Sequence, residues 1–460
     1  MRMFLDKVYG LCNLILLSAS LFASLGEAHF AERPNVIILY TDDHGSLDLG
    51  SFGATDLETP NMDAIVQSGI RLTQFYAAPV CTPSRVSLMT GQAPHRMGLA
   101  GNITAVSGQT DGLRTESFTL VDLFKSGGYR TAHIGKWHLG FSSETQPLAH
   151  GFDHSFGHLV GCIDNYSHFY YWRGPNRHDL YRNGEEVFYQ GQYFPELMLT
   201  EAMEFIDSVN DQPFFVYFAM NAPHYPYQGK EKWLRHYKEK DMSEARRLYA
   251  AFLSTQDEII GELLTYLEKK GLRENTIIIL QGDNGHSVEE RAHFGGGYTG
   301  PYRGAKASLF EGGIRVPAAI SWPNALPAGQ TRDQFAVNTD WLPTLAELCD
   351  LNLPSEKRDG TSLVSILKEP TAPDTHPKGY AWTFRNQWAV RMGNWKLMMN
   401  PLTNQTNPEG KRQSYPGKML VNLAEDPSEQ NNLIDRFPGR AAAMENLYNL
   451  WKKQPLSGID

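Results

Sequence analysis

The chain has 460 residues, 41% of them hydrophobic and 20% charged, the balance of a globular protein long enough for one large domain and a smaller one. Its formal net charge of −9 argues against nucleic acid or an anionic membrane surface as a partner. An anionic substrate stays open, because a few cations in one cleft can outweigh the global sign locally.

Residues 1–28 read as a secretory signal: Arg2 and Lys7 flank an apolar run over 11–25, and Gly26-Glu27-Ala28 offers a small-residue cleavage site. An uncleaved membrane anchor is the alternative, but the run is short for a span and contains Asn13. The mature chain is expected to start near His29, outside the cytosol. Of four cysteines, Cys12 leaves with the signal, and Cys162 and Cys349 sit among apolar neighbours, where buried free thiols are expected rather than a disulfide.

Asn35-Val36-Ile37-Ile38-Leu39-Tyr40-Thr41 is a continuous apolar, β-branched run, the mark of a strand buried on both faces in a parallel sheet. It runs into Asp42-Asp43-His44-Gly45, and Thr59-Pro60 then opens a short helix that Gly69 ends. Cys81-Thr82-Pro83-Ser84-Arg85 is a loop turning into a helix. Pro83 suits the first helical position, where its missing N–H would be unpaired anyway. That puts Cys81 at the positive end of a helix dipole, which favours a negative charge by about 0.3–1 kcal/mol. Arg85 follows one turn later on the same face. A buried free cysteine capping a helix is the bland alternative.

Further along, residues 122–125 read as a helix stopping at Gly127-Gly128, and 130–134 as a strand leading into Gly135-Lys136-Trp137-His138-Leu139-Gly140. Residues 213–220 form another apolar run, closing on Asn221-Ala222-Pro223-His224. The aromatic-rich segment 152–194 has no clear period and reads as inserted loops and short strands. Residues 243–270 carry the clearest helical pattern, with Leu248, Phe252, Ile259 and Leu263 on one face, Ser243 as N-cap and Gly271 as stop. Residues 276–280 form a further buried strand, ending at Asp283-Asn284-Gly285-His286. Beyond about residue 372 the texture changes. Residues 379–400 and 418–423 look like antiparallel strands with a tight hairpin over 391–396, and 440–453 like a terminal helix.

The fold class is therefore α/β: a large, mainly parallel sheet flanked by helices over residues 29–371, with a smaller α+β unit, an antiparallel sheet plus a helix, over 372–460. In such sheets ligands bind outside the carboxyl ends of the strands. Here four strands run, at that end, into polar residues: Asp42 and Asp43, Lys136 and His138, His224, and Asp283 with Asn284. Three carboxylates and a carboxamide form an all-oxygen set that suits a hard divalent cation, Ca²⁺ or Mg²⁺, better than zinc.

The pattern C-x-P-x-R running into S-x-x-T-G resembles the signature of the sulfatase family, and the resemblance extends over roughly residues 34–435. Asp42-Asp43, the Gly135–Gly140 run, His224, Gly282-Asp283-Asn284-Gly285, Lys306 and Glu311-Gly312-Gly313-Ile314-Arg315-Val316-Pro317 all resemble family motifs in the family's order. Weaker echoes follow at Asp340, at Asp359 and around Glu429. The resemblance implies that Cys81 is converted to formylglycine by a maturation enzyme and that the aldehyde hydrate is the nucleophile of a sulfuric ester hydrolase. It implies that Asp42, Asp43, Asp283 and Asn284 hold Ca²⁺ in contact with the modified Cys81. Arg85 and Lys136 then orient the hydrate oxygens, Lys306 binds sulfate, His224 protonates the leaving alcohol with help from Lys306, and His138 takes a proton from the second hydroxyl to expel sulfate.

Two other readings fit the sequence: a phosphoester or phosphonate hydrolase of the same superfamily, and a non-catalytic binding protein for sulfated glycans. Asn284 stands where zinc-dependent relatives want a histidine. For the substrate, a carbohydrate sulfate ester is expected. Tyr166, His168, Trp172 and Arg173 offer ring faces and cations suited to sulfated sugars, and His286 and Arg303 lie beside the motifs. The low cysteine count suggests a bacterial periplasmic or exported enzyme, whereas a eukaryotic one would be lysosomal or secreted, with sequons at Asn102, Asn165 and Asn404.

Overall fold

A computed structural model describes residues 33–104, 112–171, 176–210, 212–406 and 412–453. The signal segment, Cys12, Trp172 and Arg173 lie outside the described residues. A ten-stranded sheet organises the chain, in the order Gln330–Arg332, Ile70–Leu72, Ala318–Ser321, Thr276–Gly282, Asn35–Thr41, Phe214–Ala219, Arg130–Lys136, His154–His158, Tyr181–Arg182, Glu185–Glu186. The five strands from Thr276–Gly282 to His154–His158 run parallel. Ala318–Ser321 and Tyr181–Arg182 flank them antiparallel.

The continuous apolar runs form the centre because every residue of Asn35–Thr41, Phe214–Ala219 and Thr276–Gly282 is buried. Alternate side chains feed two separate cores. Ile37, Leu39, Val216 and Phe218 pack under the long helix Glu244–Lys269, and Val36, Ile38, Tyr40, Phe215 and Tyr217 pack on the opposite face. As expected, the Ser243 side chain caps the long helix by accepting from Arg246 N–H, and Gly271 follows it with φ +70°.

Two features depart from the sequence reading. The helix Phe194–Ser208 was not anticipated, although Phe194, Met198, Leu199, Ala202, Phe205 and Ile206 form its buried stripe. The helix after the Cys81 loop runs Cys81–Thr90 and starts at Cys81 itself, with Val80 as N-cap, so Pro83 occupies the third helical position rather than the first. Its missing N–H is still harmless, because the first four N–H groups of a helix have no intrahelical acceptor.

The strands Tyr380–Phe384, Gln387–Met392, Trp395–Met399 and Lys418–Asn422 form an antiparallel sheet covered by the helix Pro438–Lys452. Met392 pairs with Trp395 across a two-residue turn in which Gly393 takes φ +55°. Buried ion pairs join this sheet to the rest. Lys396 Nζ lies 2.8 Å from both Glu311 Oε1 and Glu429 Oε1, and Glu311 N–H donates to Glu429 Oε2 at 2.7 Å. The motif residues Glu311 and Glu429 therefore meet each other, away from Cys81. Asp359 likewise pairs with Arg96, and Asp340 with His376.

Candidate active site

Asp42 and Asp43 leave the carboxyl end of Asn35–Thr41, Asp283 and Asn284 follow Thr276–Gly282, Lys136 ends its strand, and the loop after Phe214–Ala219 brings in His224. Parallel pairing puts these ends side by side, and Cys81, at the first position of its wholly buried helix, faces them. Asp43 and His138 turn sharply off their strands with φ of +61° and +55°, and Asp and His are among the residues that tolerate this region. Gly285 is required by close approach: a Cβ there would lie 1.9 Å from the Gly312 carbonyl oxygen.

The side chains form one buried charge cluster. Cys81 Sγ lies 3.4 Å from Asp42 Oδ1, and Lys136 Nζ donates to Asp42 Oδ2 at 2.5 Å. Lys306 Nζ lies 2.7 Å from Asp43 Oδ1, Asn284 Nδ2 donates to the same oxygen at 2.7 Å, and His224 Nε2 is 3.5 Å from Asp43 Oδ2. Arg85 donates to Asp283 Oδ2, to the Lys136 carbonyl and to the Tyr217 hydroxyl at 3.0–3.1 Å, with its guanidinium over the Tyr40 ring. His224 Nδ1 donates to the Tyr225 carbonyl at 2.6 Å, leaving Nε2 for the cluster.

Three buried carboxylates thus meet three buried cations. Burial works against the charge of Asp42, but Lys136 beside it, then His224 and Arg85, hold its carboxyl well below the usual range. Burial and the neighbouring Asp42 push Asp283 up to about 7. Burial also raises the Cys81 thiol well above its ordinary value, with Asp42 adding to the effect, so an unmodified thiolate is disfavoured there. Burial, with Lys306, lowers His224, and burial, with Lys136, lowers His138 well below the ordinary histidine value. Lys306 is held well above the ordinary lysine value by Asp43, in spite of its burial.

Asp42, Asp43, Cys81 and His224 each bring a ligand atom within 4.8 Å of one another, so this is a candidate metal site. His224 joins the expected residues in this cluster. Beside it, Asp283 accepts from Arg85 and from the Asp43 N–H. The residues fit a hard cation. Asn284 Oδ1 is buried with no hydrogen-bond partner among the described residues, while its Nδ2 is fixed by Asp43 and the Gly285 carbonyl, so a carboxamide oxygen is left for an electropositive group. The raised Asp283 carboxyl points the same way, since a dication beside it would relieve the crowding of charge.

A cavity of about 150 Å³ opens above the cluster, lined among others by Cys81, His138, His224, Lys306, Asn102, Tyr170, Tyr225, Glu289 and Arg291. Tyr225, Glu289 and Arg291 were missed in the sequence, where they belong to no motif, whereas Asn102 was read there only as a sequon and Tyr170 lies in the aromatic-rich segment expected to meet the sugar. The nearest signal was position, Glu289 and Arg291 following closely on Asn284. Of the expected substrate residues that are described, Tyr166, His168, His286 and Arg303 do not line this cavity. His168 is buried with Nε2 on the Gln192 carbonyl, and Tyr166 packs at a tilt against the Tyr193 ring, 5.0 Å between centroids, in a separate groove. Arg303 is held between the Phe310 and Tyr415 rings and donates to the Glu429 carbonyl. His286 is buried beneath the Lys306 loop, its carbonyl accepting from Lys306 N–H.

A buried nucleophile position at a helix terminus, flanked by a hard-cation donor set and three fixed cations, defines a hydrolase for anionic esters. Residues 34–351 match the sulfatase family, and residues 304–453 match the C-terminal region of N-sulphoglucosamine sulphohydrolase. Bovine arylsulfatase A is 32% identical, over 88% of this chain and 84% of its own length, and canine N-acetylgalactosamine-6-sulfatase is 30% identical, over 96% and 88%. A solved structure, Ps i-CgsB in complex with k-i-k-neocarrahexaose, superposes with a TM-score of 0.81 at 28% identity, covering 92% of this chain and 94% of that one. The chain belongs to the sulfatase family and is a sulfuric ester hydrolase. Phosphonate monoester hydrolase of Agrobacterium radiobacter shares the fold at a TM-score of 0.62 and 17% identity.

Proposed function

We propose that this enzyme releases inorganic sulfate from a sulfated carbohydrate, using formylglycine made from Cys81 by a separate maturation enzyme, with Ca²⁺ as the resident cation. The observation that carries the proposal is the Cys81 position itself, enclosed by Asp42, Lys136, Lys306 and His224 with no exposed charge between them. The cation, held by Asp42, Asp43, Asp283 and Asn284, would neutralise negative charge as an anionic oxygen approaches a negatively charged ester.

Arg85 and Lys136 anchor the hydrate. One hydroxyl of the hydrate passes its proton to the carboxylates beside Cys81 as its oxygen attacks sulfur, the S–O bond to the alcohol breaks, and the alcohol leaves with a proton. Lys306 carries that proton at neutral pH, and His224, touching the same Asp43 carboxylate, is placed to relay it. His138 then removes the proton from the remaining hydroxyl, the C–O bond to sulfate breaks, and the aldehyde returns. A serine or unmodified cysteine would form a stable ester with no such exit.

The carbohydrate assignment draws on relatives that act on N-acetylgalactosamine 6-sulfate or bind a neocarrahexaose, as their names state, and on an aromatic and polar cavity wall. Export through residues 1–28 belongs to the same reading. Among the described residues no helix is long and apolar enough to cross a membrane. The test is sulfate release from defined sulfated saccharides beside simple aryl and steroid sulfates and an aryl phosphate. Turnover of the saccharides is expected; good turnover of aryl or steroid sulfates with none of any saccharide would overturn the carbohydrate assignment.

A further inference from the structure

A short circuit of hydrogen bonds ties the catalytic helix to His138 through residues that none of the roles above use. Asn102 Oδ1 accepts from Thr82 N–H at 3.0 Å, one of the helix-terminal N–H groups that lack an intrahelical acceptor. Thr82 Oγ1 donates to the His138 carbonyl at 3.0 Å and accepts from Ile103 N–H at 3.4 Å. The circuit closes where His138 Nε2 meets the Ile103 carbonyl at 3.2 Å.

A carbonyl oxygen only accepts, so the proton of that last bond sits on Nε2. In the neutral ring the lone pair is then on Nδ1, which is buried and without a partner among the described residues, on a side chain that lines the cavity together with Cys81 and Lys306. The ring has little room to turn over: a Cβ on Gly161 would lie 3.1 Å from its Cε1, and the His138 backbone is already fixed at φ +55°.

We infer that residues 102–103 are a positioning strap for the reaction: the Ile103 carbonyl selects the Nε2–H tautomer of His138, and Asn102, by capping Thr82, holds that carbonyl in place. The consequence is that His138 meets the reaction through Nδ1, as an acceptor in the free enzyme and not as a donor. This rests on the proposed role of His138 as the base that expels sulfate. Asn102 acts through His138 and Thr82, so it is a positioning residue.

The test is ring-nitrogen NMR on protein labelled with nitrogen-15 histidine, the His138 signals assigned by their loss in His138→Gln, beside steady-state sulfate release. The wild type is expected to show the Nε2–H pattern. Asn102→Ala should mix the two tautomers and lower kcat about ten-fold with KM nearly unchanged, the usual size of losing a supporting hydrogen bond. Asn102→Asp keeps an acceptor for Thr82 N–H and should restore the wild-type ring pattern. An Nδ1–H tautomer in the wild type, or full kcat and unaltered ring signals in Asn102→Ala, would overturn the strap. Should Asn102→Ala fail to fold, the wild-type and Asn102→Asp ring patterns still decide. A wild type that shows the Nε2–H pattern but releases no sulfate would contradict the proposed function and leave the strap standing.

Discussion

Lys136 shows most directly what the cluster demands of single residues. Its ammonium is fully buried on Asp42, whose carboxylate is buried as well. Lys136→Met removes one partner of a buried pair, and chemical denaturation should record a loss of about 3–5 kcal/mol together with loss of sulfate release. A variant with unchanged stability would mean that Asp42 is compensated by something other than Lys136. At this scale the charged site was legible: Asp42, Asp43, Cys81, Arg85, Lys136, His138, His224, Asp283, Asn284 and Lys306 all come together, because strand ends in a parallel sheet converge whatever lies between them. The cavity wall was not. Asn102, Glu289 and Arg291 reach it from loops with no period, and His168 and Arg303, attractive by residue type, are spent on packing.

Among the elements, the strands that read clearly were those buried on both faces, where an unbroken apolar run has no other explanation. The edge strands of two or three residues carry no such pattern, and Phe194–Ser208 went unread at the end of an irregular aromatic segment despite its apolar stripe. The weaker motifs turned out to be joints between elements. Glu311 and Glu429 grip Lys396 beneath the antiparallel sheet, and burial pushes Glu429 up to about 7 while Lys396, then Arg391, overcome burial to hold Glu311 down to about 2. A raised carboxyl adds stability below the unfolded value near 4.5 that is lost as pH rises through about 7, and a depressed one adds stability above 4.5 that is lost as pH falls toward 2. Glu429→Gln should therefore flatten the decline in stability between pH 4.5 and 7, read from thermal midpoints across pH. An unaltered slope would place the titration elsewhere. The strand-end joint is as tight: Gly285→Ala sets a methyl group against the Gly312 carbonyl, and a loss of about 1–3 kcal/mol, with reduced activity, is the expected outcome of calorimetry and assay.

For the whole molecule, the net charge of −9 gave no hint of the three cations gathered around Cys81, which matter to a substrate far more than the sum does. A bound dication should stabilise the folded chain by mass action. Chelation should lower both the thermal midpoint and sulfate release, and Ca²⁺ should restore them better than Mg²⁺; indifference to chelator would remove the cation from the account. The central claim is that Cys81 works as an aldehyde and not as a thiol. Peptide mass spectrometry across residues 72–96, run on a sample co-expressed with a maturation enzyme and assayed for sulfate release, tests it most directly. The account predicts the mass deficit of a CH₂SH group replaced by CHO at Cys81 in active protein, whereas active protein carrying only the unmodified thiol would contradict it.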